Sequence, residues 1–360
     1  IVPDLEHSAV DNFDREQVIE VFRELEFRTL VSIIPESSVA SQPVAVRDDL
    51  KDPVRTLVET DEQLALVAER IRAVGAYAYD VETTSVNPIT AQLVGLALAV
   101  SPTESFYIPI DHGDASISID RIKTALQPVL IDPAIKGYAH HAKYDDHVLF
   151  QHGVQVTNLA FDTMIAAYLL GEHSVGLKDL SFSKLGIQMT EISELIGTGK
   201  NQMMMNMVPL EQVYQYACGD VEATFALVEH FAPRLVEANQ VELFSTIELP
   251  LIPVLEDMER TGIAIDSSYL AGFEKEIRQR MGELEREITQ LAGKAISINS
   301  PKQLGDLLFV DLQLPTGRKT KTGYSVDQDH LETIRDNHPI IPAVLEFKSL
   351  GKLLSTYVTA

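Results

Sequence analysis

Two carboxylates, Asp80 and Glu82, close an apolar stretch at residues 75–83. The stretch before them contains small and aromatic residues without a break, which predicts a buried β-strand. Because side chains alternate between the faces of a strand, Asp80 and Glu82 point the same way. They repel each other unless a cation lies between them, and hard divalent ions such as Mg²⁺ bind carboxylate oxygens. A strand that runs out into solvent is the alternative.

Further acidic residues follow in settings that a fold could bring to the same place. Asp145 lies where a short predicted strand gives way to a helix that begins at Asp146. Asp220 lies on a predicted helix at residues 210–231, and Tyr216 lies one turn before it on the same face. Four carboxylates suit two metal ions about 4 Å apart, which catalyse in-line displacement at phosphorus. A nearby Tyr hydroxyl could orient the attacking water.

Two other patterns suggest different chemistry. His140 and His141 beside Asp145 are candidates for a zinc site, but adjacent histidines point in different directions and no His-x-x-x-His spacing is present. Residues 197–200, Gly-Thr-Gly-Lys, resemble a phosphate loop, but they lack its full spacing and the Ser or Thr after Lys200. Neither zinc nor a nucleoside triphosphate is therefore favoured.

Composition narrows the class of protein. A length of 360 residues predicts two domains or slightly more. There is no apolar run long enough for a transmembrane helix, and the single cysteine, Cys218, excludes an internal disulfide and is typical of a reducing cytoplasm. The net charge of −24 argues against a protein that coats nucleic acid, but not against an enzyme that binds phosphates locally and through metal ions. The start, without a Met or a signal pattern, indicates a piece of a longer protein.

The elements that must position the carboxylates are predicted as a mixed sheet with helices. A helix at residues 61–74 precedes the strand at 75–82, and strands at 93–100 and 105–109 follow it. A helix is then predicted at residues 119–130. Three consecutive strands followed by covering helices indicate an α/β domain.

The last third of the chain is predicted to be helical. Apolar residues recur at spacings of three and four through residues 268–292, with charges between them, and a second helix is predicted at 341–358. A coiled-coil partner surface is the generic interpretation of such a stripe. Between the helices, Arg318, Lys319 and Lys321 form a basic loop in a very acidic chain. Such a loop can contact phosphates, and a solvated loop is the alternative.

Three of these patterns, taken in order, resemble the exonuclease motifs of the DEDD superfamily, Tyr subtype. The segments at residues 93–96, 161–164 and 197–202 further resemble the proofreading domain of the bacterial family A DNA polymerases, the DNA polymerase I group. The three motifs are Asp80-Val81-Glu82, Lys143-Tyr144-Asp145 and Tyr216-x-x-x-Asp220.

The resemblance continues to about residue 358 and implies the fold. Residues 248–266 resemble the beginning of the polymerase domain, and the two later helices resemble the antiparallel thumb helices. The implied fold class is α/β, a ribonuclease H-like mixed sheet flanked by helices, followed by an α-helical thumb. No palm or fingers motif is found, so the polymerase active site is expected outside this chain. The implied segments are the tail of a 5′ nuclease-like region at 1–34, a linker at 35–55, the 3′–5′ exonuclease domain at 56–240 and the start of the polymerase domain at 241–360.

The implied function is the 3′–5′ proofreading exonuclease of a DNA-directed DNA polymerase, which releases nucleoside 5′-monophosphates. The resemblance implies two divalent ions, Mg²⁺ or Mn²⁺. Asp80, Glu82 and Asp220 would hold the ion that carries the attacking water. Asp80, with Asp145 through water, would hold the ion beside the leaving 3′ oxygen. Tyr216 and Glu82 would orient the nucleophile.

The resemblance also implies contacts to DNA. Val86 and Ile192 stand where the family places apolar side chains against the terminal bases, and such contacts tolerate any sequence. Plain packing is the alternative for both residues. His141 stands where the family commonly has Asn, which puts one contact to the DNA strand in doubt. The other implied contacts are Tyr144, Lys200, Arg318, Lys319 and Lys321.

The implied partners are a single-stranded 3′ DNA end at the exonuclease site and a primer–template duplex at the thumb. We expect a monomer in the bacterial cytoplasm and nucleoid, without membrane contact. Two other functions stay open. A stand-alone RNA-trimming exonuclease of the same superfamily would share the carboxylates but lack the Thr261-Gly262 segment and the thumb helices. A silent scaffold domain would have lost a carboxylate, and all four are present.

Overall fold

The computed structural model describes residues 13–35, 52–113, 116–317, 319–320 and 323–359. The chain divides into two compact units, Ile1–Gly262 and Ile263–Ala360. Most of the linker predicted at residues 35–55 lies outside the described residues. None of the helices in the described part combines the length and the hydropathy that a membrane span requires.

A six-stranded mixed sheet lies at the centre of the first unit. Its strands are β1 Val54–Leu57, β2 Ala76–Thr83, β3 Leu93–Ser101, β4 Glu104–Pro109, β5 Lys136–Ala139 and β6 Leu159–Asp162, in the spatial order β1-β4-β3-β2-β5-β6. Strands β2 to β4 form an antiparallel meander, whereas β1, β5 and β6 pair in parallel with their neighbours. The meander confirms the prediction. The four-residue strands β1 and β6 were not predicted, because they are too short to show a period.

Helices lie between and after these strands. The predictions at residues 61–74 and 119–130 are confirmed to the residue. The helix predicted from Asp146 begins earlier, so Asp145 lies in its first turn and not at a strand end. The helices are α1 Arg15–Glu24, α2 Asp61–Val74, α3 Ile119–Leu130, α4 Ala142–Gln151, α5 Thr163–Leu169, α6 Leu177–Leu180, α7 Ile192–Ile196, α8 Leu210–Glu237, α9 Val241–Leu243 and α10 Leu249–Thr261.

The two faces of the sheet carry different cores. On β2, the odd-numbered Tyr77 and Tyr79 are buried with residues of α2, α3 and α4. The even-numbered Ala78 is buried with residues of α8. Because a strand alternates its side chains, Asp80 and Glu82 continue the row that faces α8. The same alternation that fills both cores therefore directs the two carboxylates toward the longest helix of the unit.

Residues 241–262, which the sequence analysis assigns to the start of the polymerase domain, belong to the first compact unit. Helix α10 contacts α4 and β6, and Ile252 is buried in the core that contains Tyr79. The Arg260 guanidinium lies 4.1 Å from the centre of the Phe150 ring of α4, a cation–π contact. Apolar burial and this contact attach α10 to the sheet, so the compact unit extends to Gly262.

The second unit has a helical core of its own. The predicted long helix is confirmed, and its residues Ile277, Leu284 and Ile288 are buried. Helix α14 packs against it, and Arg280 binds Glu346 across the pair at 2.7 Å. The elements are α11 Ser267–Ala292, α12 Pro301–Gly305, a π-helical segment Asp306–Asp311, the hairpin β7 Lys319–Thr320 and β8 Gly323–Tyr324, α13 Gln328–Thr333, α14 Ile340–Leu353 and a π-helical segment Leu354–Val358.

Candidate active site

The end of β2 presents two carboxylates to the face covered by α8. Asp80 is half-buried and Glu82 is 5% exposed. Glu82 lies opposite Gly95 of β3, and the missing side chain of Gly95 leaves room for the ring of Tyr107. Burial and the charge of Glu82 raise the pKa of Tyr107, so its hydroxyl stays protonated beside the site. The phenol ring of Tyr107, which packs over Gly95, therefore lies beside the site.

Helix α4 supplies the third carboxylate, Asp145, which is 3% exposed. Its carboxylate accepts a hydrogen bond from the backbone N–H of Val81, the residue between Asp80 and Glu82. This bond attaches the first turn of α4 to the end of β2. Burial, followed by the charges of Asp80 and Asp146, raises the pKa of Asp145 well above its usual range.

A buried carboxylate, Asp162, fixes the turn that begins α4. It accepts hydrogen bonds from the backbone N–H groups of His141 at 3.3 Å and Ala142 at 2.7 Å. It also caps α5, because it accepts from the N–H groups of Met164 and Ile165. These bonds make α4 begin before Asp145. The sequence analysis assigned Asp162 no role, although an Asp at the beginning of a helix is a capping signal.

His141 has a left-handed backbone conformation, with φ at 73°, immediately before α4. His is enriched among the non-glycine residues that adopt this conformation, so His141 suits this turn. The exposed His141 ring stacks on Tyr144, with centroids 6.3 Å apart. The Tyr144 hydroxyl is 2.5 Å from both the Thr83 hydroxyl and the Ser85 carbonyl, so it holds the loop after β2.

Helix α8 supplies Asp220 and Tyr216, and a lysine joins them. Lys178 of α6 donates a hydrogen bond to Oδ1 of Asp220. Its Nζ also lies 4.1 Å from the centre of the Tyr216 ring. The Lys178 side chain is 15% exposed and that of Asp220 is 10% exposed. The sequence analysis missed Lys178, because a single Lys in a short helix forms no motif.

The carboxylates raise one another's pKa. Burial and the charge of Asp220 raise the pKa of Asp80 to about 8, and Lys178 acts in the opposite direction. Burial and the charges of Asp80 and Asp220 raise the pKa of Glu82 well above its usual range. Burial also raises the pKa of Asp220, against the hydrogen bonds from Lys178 and Tyr216. Full ionisation of such a cluster requires more positive charge than Lys178 supplies.

The donor set fits hard divalent cations. Every candidate ligand is a carboxylate, and Oε1 of Glu82 is buried without a hydrogen-bond partner among the described residues. A metal ion would satisfy this oxygen. Within the described ranges, no three His, Cys, Asp or Glu side chains are arranged to hold an ion as they stand. In this arrangement Asp220 is paired with Lys178. The carboxylates also repel one another when no cation lies between them.

Comparison with protein families gives the family of this chain. Residues 56–236 match the family described as 3′–5′ exonuclease, and residues 267–360 match the family described as DNA polymerase family A. This chain belongs to DNA polymerase family A. The recognised resemblance is confirmed, as is the fold, an α/β exonuclease domain followed by the helical region of a polymerase domain.

Several bacterial DNA polymerases I are similar to this family A chain. That of Chloroflexus aurantiacus is 35% identical, with 99% of this chain and 42% of the relative covered. That of Bacillus subtilis is 30% identical over 96% of this chain and 37% of the relative. Among solved structures, the POL domain of Pol1 from M. smegmatis, in complex with DNA primer-template and dNTP, has a TM-score of 0.67 and 26% identity over 83% of this chain and 48% of that one. The chain thus spans less than half the length of these relatives.

A cavity beside Asp220 gives this family A exonuclease domain room for a ligand. Its volume is 760 Å³, and it is lined by Asp220, Tyr216, Gln188 and Met189 among others. Small-molecule sites in proteins have volumes of about 300–1,000 Å³. Of the four candidate carboxylates, Asp220 lines this space, which could accept a terminal nucleotide.

The predicted base-contacting residues lie at the surface of the same unit. Val86 is 94% exposed, in the loop that Tyr144 holds, and Ile192 is 46% exposed at the start of α7. Packing in the core, the alternative for these two residues, does not account for an apolar side chain as exposed as Val86. Lys200 is exposed in a 3₁₀ turn, Gly199–Asn201.

The basic loop of the second unit is described only in part. Arg318 and Lys321 lie outside the described residues. Lys319 is described through its backbone, which pairs with that of Tyr324. The loop therefore stays a prediction for phosphate contact.

Proposed function

We propose that the first unit hydrolyses the 3′-terminal phosphodiester of DNA and releases nucleoside 5′-monophosphates, as the proofreading exonuclease of a family A polymerase. The observation that carries this proposal is the meeting of four carboxylates from β2, α4 and α8. Asp80, Glu82 and Asp220 influence one another's pKa, and Asp145 is hydrogen-bonded to the backbone between the first two. Membership of the 3′–5′ exonuclease family supports it.

The site would hold two divalent ions, Mg²⁺ or Mn²⁺. Asp80, Glu82 and Asp220 would bind one ion, and Asp80 with Asp145 would bind the other. When bound, such ions lower the pKa of a water and neutralise charge that develops on the phosphate. Glu82 is suited to the first ion because its Oε1 has no hydrogen-bond partner in the described part of the chain.

The chain's own groups then orient the reactants. Burial and the charge of Asp220 raise the pKa of Tyr216, so its hydroxyl stays protonated and can donate a hydrogen bond to the attacking oxygen. The other oxygen of Glu82 can accept a proton of the same water. Exposed Val86 and Ile192 would contact the terminal bases without reading their sequence. The Tyr144 hydroxyl donates a hydrogen bond to the Ser85 carbonyl and so fixes the loop that carries Val86. This bond supports the proposed contact of Val86 with the terminal base.

The larger protein would combine this unit with a polymerase. We assign residues 56–240 to the exonuclease domain and 241–360 to the beginning of the polymerase domain, with 1–34 as the tail of an upstream nuclease-like region and 35–55 as a linker. The thumb helices, with Arg318, Lys319 and Lys321, would contact duplex DNA. The palm and fingers would complete the polymerase. We further assign the protein as a monomer of the bacterial cytoplasm and nucleoid.

The test is digestion of a 5′-labelled single-stranded DNA with Mg²⁺ or Mn²⁺, beside an EDTA control and an RNA of the same sequence. We expect a ladder that shortens from the 3′ end of DNA, only with metal. Faster trimming of RNA would indicate the RNA-processing branch of the superfamily. No digestion by a folded sample that binds Mn²⁺ would identify the domain as a scaffold and overturn the proposal.

A further inference from the structure

A lysine lies inside the acidic site and contacts two of its members. The Lys178 ammonium donates to Oδ1 of Asp220 and lies 4.1 Å from the centre of the Tyr216 ring. Both side chains of the ion pair are largely buried, at 15% and 10% exposure. A pair of this kind differs from a surface salt bridge, because removal of one partner leaves the other charge buried and unpaired.

The charge of Lys178 acts on more than its hydrogen-bond partner. It lowers the pKa of Asp80, Glu82 and Asp220 alike, against the effect of burial. Arg55 also acts on Asp220, but its guanidinium is bound to Glu222 at 2.6 Å. Lys178 is therefore the cation that is directly bound to a candidate metal ligand in the described part of the site.

An ammonium and a divalent cation cannot share this position without repulsion. Asp220 is expected to be a ligand of the first ion, and Lys178 now occupies its Oδ1. Like charges a few ångströms apart in a largely buried site interact strongly, because little water screens them. Binding of the ion at Asp220 therefore favours movement of the ammonium away from Oδ1.

The surroundings allow the ammonium to leave while the backbone stays in place. Leu180 anchors α6 in the core, and Asp179 is held by the Ser174 hydroxyl at 2.7 Å. The face of Tyr216 already contacts the ammonium and can retain it by a cation–π interaction. The adjoining cavity is lined by Asp220 and Tyr216, so water can reach the displaced charge.

We propose that Lys178 is a resident counter-ion of the metal-free site, which binds Asp220 until a divalent ion displaces it toward the Tyr216 ring. Lys178 would then set how tightly the site binds metal and would stabilise the site when metal is absent. It is a positioning residue, because it acts through Asp220. This inference rests on the proposed function only in assuming that the carboxylates bind divalent ions.

The test is the affinity for Mn²⁺, measured from the electron paramagnetic resonance signal of free Mn²⁺ at fixed ionic strength. Lys178→Met keeps most of the stem and removes the charge. We expect its Kd for Mn²⁺ to fall by about tenfold, within the range typical of coupled equilibria. Without metal, this variant should melt at a lower temperature than the parent, and saturating Mn²⁺ should raise its melting temperature by more.

A matched control removes a lysine of the same region that does not contact the site. Lys184 binds Glu172 at 2.6 Å and Glu26 at 3.0 Å. Lys184→Met changes the net charge by the same amount as Lys178→Met. Because Lys184 does not contact the site, we expect its removal to leave the Kd for Mn²⁺ unchanged. Lys178→Arg keeps the charge and should bind Mn²⁺ as weakly as the parent. A general effect of net charge would instead strengthen binding in both Met variants and would overturn the proposal.

An unchanged or higher Kd in folded Lys178→Met would also overturn it. If that variant does not fold, the parent protein supplies the test, through the lysine ¹³Cε resonances during titration with Mg²⁺. The Lys178 resonance, assigned through Lys178→Arg, should move while that of Lys184 stays in place, and an unmoved Lys178 resonance would exclude displacement. If the protein binds Mn²⁺ but does not digest DNA, the proposed exonuclease function is rejected and the role of Lys178 is not. If the protein digests DNA but the parent and Lys178→Met have equal Kd values for Mn²⁺, the role of Lys178 as a counter-ion is rejected and the proposed function is not.

Discussion

Glu82 lies directly opposite Gly95 in the antiparallel pair of β2 and β3, and the ring of Tyr107 fills the space above the glycine. A Cβ at Gly95 would lie 2.0 Å from the Tyr107 hydroxyl oxygen. Tyr107 is fully buried, so its ring has no free space to move into. The position of the Glu82 carboxylate thus depends on a glycine in the neighbouring strand.

We expect Gly95→Ala to destabilise the first unit and to reduce DNA digestion. Overpacking of a dense core costs about 1–3 kcal/mol, and the displaced ring would press on Glu82. Urea unfolding measures the first effect and a nuclease assay the second. Gly272→Ala in α11 is the control, because a Cβ there meets nothing within 4 Å. Equal unfolding free energies of the parent and Gly95→Ala would contradict this packing.

Asp80→Ala should remove nuclease activity without unfolding the domain. The carboxylate is shared between both proposed ions, so its loss should lower the single-turnover rate by about 10³-fold or more. Repulsion with Glu82 and Asp220 is relieved at the same time, so the metal-free protein should not lose stability. Glu69→Ala, an exposed position of α2, controls for loss of one acidic residue. Undiminished digestion by purified Asp80→Ala would reject the site.

Thermal stability in EDTA should fall as the pH rises from 7 to 8. The folded-state pKa of Asp80 is raised to about 8, above its value in the unfolded chain. The folded state therefore binds more protons than the unfolded state, and stability is lost as the pH rises through the folded-state pKa. The pKa of buried His140 is lowered to about 3, which has the opposite effect, but only below about pH 7 where the unfolded histidine titrates.

Asp80→Asn is the control for this pH dependence, because it removes the titrating carboxyl while keeping its shape. Its melting temperature in EDTA should change less between pH 7 and pH 8 than that of the parent. Saturating Mg²⁺ should also flatten the profile of the parent, since bound cations favour ionised carboxylates. A parent protein that becomes more stable from pH 7 to pH 8 in EDTA would contradict the raised pKa.

The regular elements of the site were predictable because their patterns are long. Strands β2 to β4 and helices α2, α3 and α8 extend over enough residues to show their periods, and Asp80 and Glu82 follow from the alternation of one strand. Short strands β1 and β6 show no period. The ion pair of Lys178 with Asp220 joins residues 42 positions apart, so no local pattern could reveal it. The early start of α4 depends on Asp162, which lies on another strand.

Tyr216→Phe should slow digestion while leaving Mn²⁺ affinity nearly unchanged. Phe keeps the ring that Lys178 contacts and removes only the hydroxyl. A positioned hydroxyl that orients the attacking water contributes a factor of about 10²-fold, at the lower end of the range for general acid–base groups. Single-turnover rates and Mn²⁺ Kd values together separate this loss from a loss of metal. A Kd that weakens in proportion to the rate would assign Tyr216 to metal binding instead.

Asp162→Ala should reduce both stability and digestion, although Asp162 is not expected to touch DNA or metal. Its carboxylate accepts from the N–H groups of Ala142 and Met164, and thus joins the beginning of α4 to that of α5. Loss of a helix cap costs about 0.5–2 kcal/mol, and an N–H group left buried and unsatisfied costs about 1–3 kcal/mol more. The first turn of α4 would then shift, and Asp145 would lose its fixed position.

Asp162→Asn separates positioning from charge. An Asn side-chain oxygen still caps a helix, so this variant should recover most of the stability that Asp162→Ala loses. If Asp162 acts through the first turn of α4, the digestion rate should recover together with the melting temperature. Recovery of stability without recovery of digestion would mean that the negative charge of buried Asp162 contributes to the site directly, through its effect on Asp145.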